Sequence, residues 1–203
     1  LMPQSILNTQ YSTVQNDILR VATQRLIKYG YTKTTMCEIA SDLDMSTANL
    51  YRHYANKLGI LKACAIRSLK EGLADLQQIV DEQGKSAETK LEAYALYLSK
   101  RTYELASGDS QILEVLNIAT KAYPELIHAT NEQHCSLLAC IIDDGVSNKE
   151  FKRSLKAPEI NGFHMALTMF RYPFLVHMYS LTEFQSMAKE TIKLLTAALK
   201  SVK

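Results

Sequence analysis

Between Thr47 and His53 the chain reads Thr-Ala-Asn-Leu-Tyr-Arg-His, and four of those seven side chains have the chemistry to read a base pair. Asn49 can bridge an adenine edge and Arg52 can grip a guanine, while Thr47 and Ala48 can pack on a thymine methyl. Leu50 and Tyr54 are four apart, so they share the opposite face of a helix and point inward. The segment therefore has one face to anchor and another to present.

Such a face is useful only if held at a fixed angle, and the residues upstream supply the means. Thr35 with Glu38 three positions later forms a capping box, each side chain satisfying an orphan amide at a helix start. Ile39, Ala40 and Leu43 give that helix one apolar side, with small Ala40 where a second helix must come close. Ser46 is a good N-cap for the next helix. Asp44 sits in the turn between them, where a left-handed backbone is required and Gly is preferred; Asp tolerates that conformation better than most residues. Two short helices and a tight turn over residues 35–54 are the layout of a helix-turn-helix, whose second helix enters the DNA major groove.

Composition is compatible with this and narrows the rest. The 203 residues are 47% hydrophobic with only 7 Gly and 4 Pro, enough apolar content for a substantial helical core. The net charge of +2 hides an asymmetry: residues 1–70 hold 9 basic and 4 acidic side chains, residues 71–203 hold 14 and 17. A basic first section joined to a mildly acidic remainder fits a nucleic-acid reader attached to a different module. Cys37, Cys64, Cys135 and Cys140 show no CxxC spacing and no signal-peptide pattern is present, so reduced thiols and a cytoplasmic location are expected. No apolar run reaches the roughly 18 residues that span a membrane.

Helical periodicity runs through the chain, and the expected fold class is all-α with about nine helices. A first helix spans Thr13 to Tyr29, with Gly30 as its stop. A long helix starts after Asn56 and runs to Gly84, connecting the head to the remainder. Ser86 opens a helix ending near Gly108, and Ser110 to Ala122 forms a shorter one. Pro124 starts another that reaches about Asp144. A polar connection at 148–156 precedes an apolar helix from Pro158 through Met178 that Pro173 should interrupt. A last helix covers Thr182 to about Lys200, with Val202 at the end of its apolar stripe.

The span Ile18–Cys64 resembles the head of TetR-family transcriptional regulators in order and spacing. The matching residues are Ala22, Gly30-Tyr31, Thr34-Thr35, Ile39-Ala40, Met45-Ser46, Leu50-Tyr51, Tyr54, Lys57 and Leu61. Three positions depart from the family pattern: Asp44 for Gly, Tyr54 for Phe and Leu58 for an acidic residue. The resemblance implies a helix-turn-helix DNA-binding domain at 12–58 and a helical effector-binding and dimerisation domain at 59–203. It also implies that Thr35 and Lys57 hold the DNA backbone, with Lys33 and Thr34 as additions, and that Tyr51 and His53 reach phosphates. Ser46 completes this expected DNA-binding set with Thr47, Ala48, Asn49 and Arg52.

By the same resemblance the chain is expected to be a transcriptional repressor acting as a homodimer on a palindromic double-stranded DNA operator. Its interface would use Phe163, Leu167, Phe170, Phe174, Phe184, Ala188, Ile192, Leu195 and Leu199 in a four-helix arrangement. A small-molecule effector of unknown identity would bind among Tyr94, Tyr97, Asn117, His128, Asn131, His134, His164, Met165, Met169 and His177. Aromatics and methionines with few polar groups there suit an uncharged or aromatic ligand. No metal or other cofactor is expected. His128, His134 and Cys135 lie near one another in sequence, but the two histidines are six apart and fall on different helix faces, whereas a helical metal site needs ligands at i and i+4. The chain contains no Gly-rich phosphate loop, GxSxG or HExxH, so no enzyme activity is expected. The alternative is a DNA-bound protein of this fold that acts through a protein partner without an effector.

Overall fold

The computed structural model describes residues 7, 9–108 and 110–201, and among these every regular element is helical. The helices are α1 (Thr13–Lys33), α2 (Met36–Ser41), α3 (Thr47–His53), α4 (Lys57–Asp81), α5 (Ala87–Ala106), α6 (Ile112–Ala122), α7 (Pro124–Ser147), α8 (Ala157–Thr168) and α9 (Leu181–Lys200). Two 3₁₀ segments, Met169–Arg171 and Pro173–Met178, lie between α8 and α9. Val202, expected on the last apolar stripe, lies outside the described residues.

The helix starts are chemically marked. Full capping boxes open α1 (Ser12 with Gln15), α2 (Thr35 with Glu38) and α9 (Ser180 with Glu183). Ser46 and Ser86 each accept a backbone N–H as N-caps of α3 and α5. Breaks follow glycine and proline. Gly30 has φ +84 inside α1, so the helix kinks there and a final turn carries Tyr31 to Lys33. Proline lacks a backbone N–H, and at Pro173 the apolar run after α8 becomes two 3₁₀ segments rather than one helix.

The chain divides into two compact units. The first comprises residues up to Glu71 with Gly108–Thr130, and so takes in α6 as well as the expected 12–58 head. Its buried side chains include Ile18, Leu19, Ala22 and Leu26 of α1, Ile39 and Ala40 of α2, Leu50 of α3, and Ile60 and Leu61 of α4. Helix α1 packs on both α2 and α6. The second unit comprises Gly72–Ser107 with Asn131–Lys203. Its core joins Leu91, Tyr94 and Leu98 of α5, Leu138 and Ile141 of α7, Phe170, and Phe184 and Ile192 of α9.

One close approach in the second unit is sterically exclusive. A Cβ placed on Gly145 would come within 2.7 Å of the Ala87 Cβ and would also collide with the Phe151 ring. Phe151 is buried although it sits in the mostly polar 148–156 connection, and its amide bonds the Gly145 carbonyl at 3.1 Å.

Candidate functional site

The reader begins with the turn. Asp44 has φ +51, the left-handed conformation expected of it, and backbone bonds from Leu43 and Met45 to the Ala40 carbonyl close the turn at 3.1 and 3.0 Å. Arg25 of α1 fixes the angle of α2 with one guanidinium, pairing with Glu38 at 3.0 Å and Asp42 at 2.8 Å. The Arg25 bond, together with those from Thr35, holds the Glu38 carboxyl below the usual carboxylate range. Leu50 is wholly buried and seats α3. Around it Ala48, Tyr51 and Arg52 are exposed, and Thr47, Asn49 and His53 are partly so. None of these six side chains forms a hydrogen bond or ion pair with another described side chain, so α3 presents a continuous polar and cationic face.

Four members of the expected DNA set are occupied inside the head instead. The Thr34 side chain is buried, and its hydroxyl donates to the Gly30 carbonyl at 2.7 Å. The Lys57 ammonium donates to the Tyr31 and Thr34 carbonyls at 2.6 and 2.7 Å and lies 4.1 Å from the centre of the Tyr31 ring. It clamps the turn between α1 and α2 rather than reaching outward, and burial pushes its pKa down. Ser46 and Thr35 spend their hydroxyls on helix caps, accepting from the Asn49 and Glu38 amides respectively. Lys33 stays exposed.

A residue far along the chain completes the head. Glu114 of α6 accepts from the Thr32 amide at 2.9 Å and from its hydroxyl at 2.5 Å, and the Gln111 amide donates to the Ile27 carbonyl at 2.7 Å. The bonds from Thr32 depress the Glu114 pKa. Sequence reasoning missed Glu114, since nothing local links positions 32 and 114.

In the second unit, four of the expected effector residues come together. The Tyr94 hydroxyl bonds His134 Nδ1, the His134 and His164 rings stack with centroids 5.4 Å apart, and His164 Nε2 lies 3.2 Å from Asn131 Oδ1. Burial, reinforced by Arg171, pushes the pKa of His134 down to about 2 and that of His164 to about 4, so both rings are neutral. Arg171 is the member that the sequence reading passed over; a lone arginine inside the apolar run from Phe163 to Met178 was its signal.

The remaining effector candidates do not join this cluster. Asn117 and His128 are exposed side chains of the first unit, and Met165, Met169 and His177 are exposed in the second. Tyr97 is partly buried but gives its hydroxyl to Asp75 at 2.7 Å. Among the described residues no three His, Cys, Asp or Glu side chains form a group that could hold a metal ion. The expected interface residues also need correction. Phe163, Leu167, Phe170, Phe184, Ala188, Ile192 and Leu199 are buried within the chain's own core, and Leu195 packs partly against it. An amphipathic helix has a single apolar stripe, and these helices turn theirs inward. Exposed apolar side chains on the same segments include Phe174 at 67%, with Met165, Met178 and Leu194 at 61, 65 and 74%.

Residues 18–64, from α1 into α4, match the model of the bacterial regulatory proteins of the tetR family. By its head, this chain is similar to the TetR family. The whole chain also superimposes on solved regulators. One is a transcriptional regulator from Cytophaga hutchinsonii, at TM-score 0.76 and 20% identity, covering 94% of this chain and 100% of that one. Another is a TetR transcription regulator from Haloarcula marismortui, at TM-score 0.74 and 18% identity, covering 94% and 100%. A third is Salmonella enterica GusR, at TM-score 0.70 and 18% identity, covering 96% and 99%. At such identities the likeness is one of fold. No curated protein sequence matches the chain. The matched head supports DNA-binding transcription regulation. Among the described residues no helix is long and apolar enough to cross a membrane.

Proposed function

We propose that this chain is a ligand-responsive transcriptional repressor that binds a palindromic operator as a homodimer. The observation that carries the reading is α3: Leu50 anchors it while Thr47, Ala48, Asn49, Tyr51, Arg52 and His53 remain available. Phosphate contacts from Tyr51, His53 and Lys33 would set the register, and Thr47, Ala48, Asn49 and Arg52 would read base edges.

One such short helix reads few base pairs, and pairing two heads on successive major-groove faces gives the selectivity that a genome demands. The exposed apolar side chains Met165, Phe174, Met178 and Leu194 support self-association in the second unit. The buried polar cluster around His134 and His164 supports an effector site there, since an effector must distinguish two arrangements of the protein to release DNA.

Selection of bound duplexes from a random pool, with the mass of the free and bound protein measured in parallel, tests the reading. A two-fold symmetric consensus bound by two chains is expected. A monomer at micromolar concentration, or the absence of any enriched sequence, would defeat it.

A further inference from the structure

We propose that Arg171 anchors a small organic carboxylate in the second unit, through the edge of its guanidinium formed by Nε and Nη2. The inference rests on the reading of that unit as an effector domain and names the chemistry of the effector.

Arg171 follows α8 in the first 3₁₀ segment and is largely withdrawn from solvent. Its hydrogen bonds come from a single nitrogen: Nη1 donates to Asn131 Oδ1 at 3.3 Å and lies 3.5 Å from His164 Nε2. Both neighbours are neutral. Among the described residues no carboxylate pairs with Arg171, and none offers an acceptor to Nε or Nη2. The groups that favour its charged form are Tyr94, Tyr172 and Cys135, none of them a carboxylate.

An arginine keeps its proton under all physiological conditions, so the site holds a fixed positive charge. Burial disfavours a cation without an anion, and an anion from outside the chain would offset that cost at the solvent-accessible edge. The unused edge offers two parallel N–H groups, the geometry that a planar carboxylate fills with both oxygens. Charge counting selects the ligand further. With His134 and His164 neutral, the cluster carries one positive charge and balances a monoanion better than a phosphate dianion. Met169 and Tyr172, near Arg171 in sequence, are 43 and 57% exposed, apolar surface that the organic part of the ligand would cover under this proposal. The expectation of an uncharged or aromatic ligand takes no account of Arg171, and the proposed carboxylate departs from its uncharged alternative only.

The test uses the full chain with benzoate, benzamide and phenyl phosphate as probes in thermal unfolding. Benzoate should raise the melting temperature saturably, by about 5 °C near one hundred times its dissociation constant. Benzamide should leave it unchanged, phenyl phosphate should act more weakly, and Arg171→Met should abolish the benzoate response. Equal shifts with benzamide, an undiminished shift in R171M, or no benzoate shift at tens of millimolar would overturn the proposal; a stronger phenyl phosphate shift would overturn the choice of a monoanion. If R171M does not fold, Arg171→Lys replaces it: the charge without the fork should weaken benzoate binding about tenfold or more. Affinity for the selected duplex is measured alongside. Benzoate binding through Arg171 without loss of DNA affinity supports the anion site and overturns effector release. Intact DNA binding with no benzoate shift overturns the anion site and leaves the DNA reader standing.

Discussion

Glu114 accepts both the amide and the hydroxyl hydrogen of Thr32, at 2.9 and 2.5 Å, joining α6 to the last turn of α1 just ahead of the helix-turn-helix. One carboxylate thereby orders the backbone from which α2 departs. Glu114→Ala should destabilise the first unit by about 1–2 kcal/mol, the scale of hydrogen bonds to a charged group discounted for partial exposure. The folded pKa lies below the ordinary 4.5, so this stabilisation is present above pH 4.5 and is lost as pH falls through the lower folded value. Chemical denaturation of both proteins at pH 7 and pH 3 should show the difference shrinking at the acid end.

Lys57 is a clamp, and its replacement should reveal that. Lys57→Met removes an ammonium from two buried-side carbonyl bonds and should lower stability by about 1–3 kcal/mol. The slope of DNA affinity against salt should stay the same, since no phosphate contact is removed. A slope reduced by about one unit, with stability unchanged, would return Lys57 to the DNA surface.

Arg52 should behave in the opposite way. It is exposed and its side chain is not tied to another described residue, so Arg52→Ala should leave the melting temperature within about 1–2 °C of wild type. Binding to the selected duplex should weaken by about 1–3 kcal/mol with relaxed preference at one base pair. Unchanged affinity and unchanged preference in competition binding would remove its role in reading.

Two departures from the family pattern should be improvable. The Tyr54 hydroxyl is buried without a hydrogen-bond partner, and burial drives its pKa far up. Tyr54→Phe deletes that oxygen and should stabilise the head by about 1 kcal/mol or more. Asp44 has φ +51, so Asp44→Gly should relieve left-handed strain worth about 1 kcal/mol, offset in part by the freer unfolded chain. Denaturation midpoints of the two single variants decide both.

The second unit should be acid-sensitive through its histidines. His164 is held near a pKa of about 4 against an ordinary 6.5, and His134 lower still, chiefly by burial. The unfolded chain therefore binds more protons in this window. Their stabilising effect is complete above pH 6.5 and falls away as pH drops toward 4. His164→Asn should flatten the decline in melting temperature between pH 6.5 and 4; an unaltered slope would show that other groups carry it.

The head was legible because its signals are local. Thr35 and Glu38, Ser46, and Leu50 with Tyr54 act within one turn of helix, and each does in the structure what its spacing indicates. Which groups a side chain meets across the fold was less legible. Lys57 has the composition of a phosphate ligand, and only the carbonyls of Tyr31 and Thr34 in space reveal its other use. The stripes of α8 and α9 were correctly periodic, but periodicity cannot tell an inward stripe from an interface. Arg171 was hidden because its meaning depends on which groups surround it, and only tertiary packing can establish that.

The Gly145 contact also bears on how the chain can change in length. Phe151 meets Gly145 of α7 beside Ala87 at the head of α5, so three segments are registered at one point. Residues added before Phe151 would pull that ring from its seat. Beyond it, Arg153 and Ser154 are exposed, and added residues there would disturb little more than the Arg153–Glu159 ion pair. The 148–156 connection thus has a closed half and an open half, and a peptide tag or inserted domain belongs in the open one.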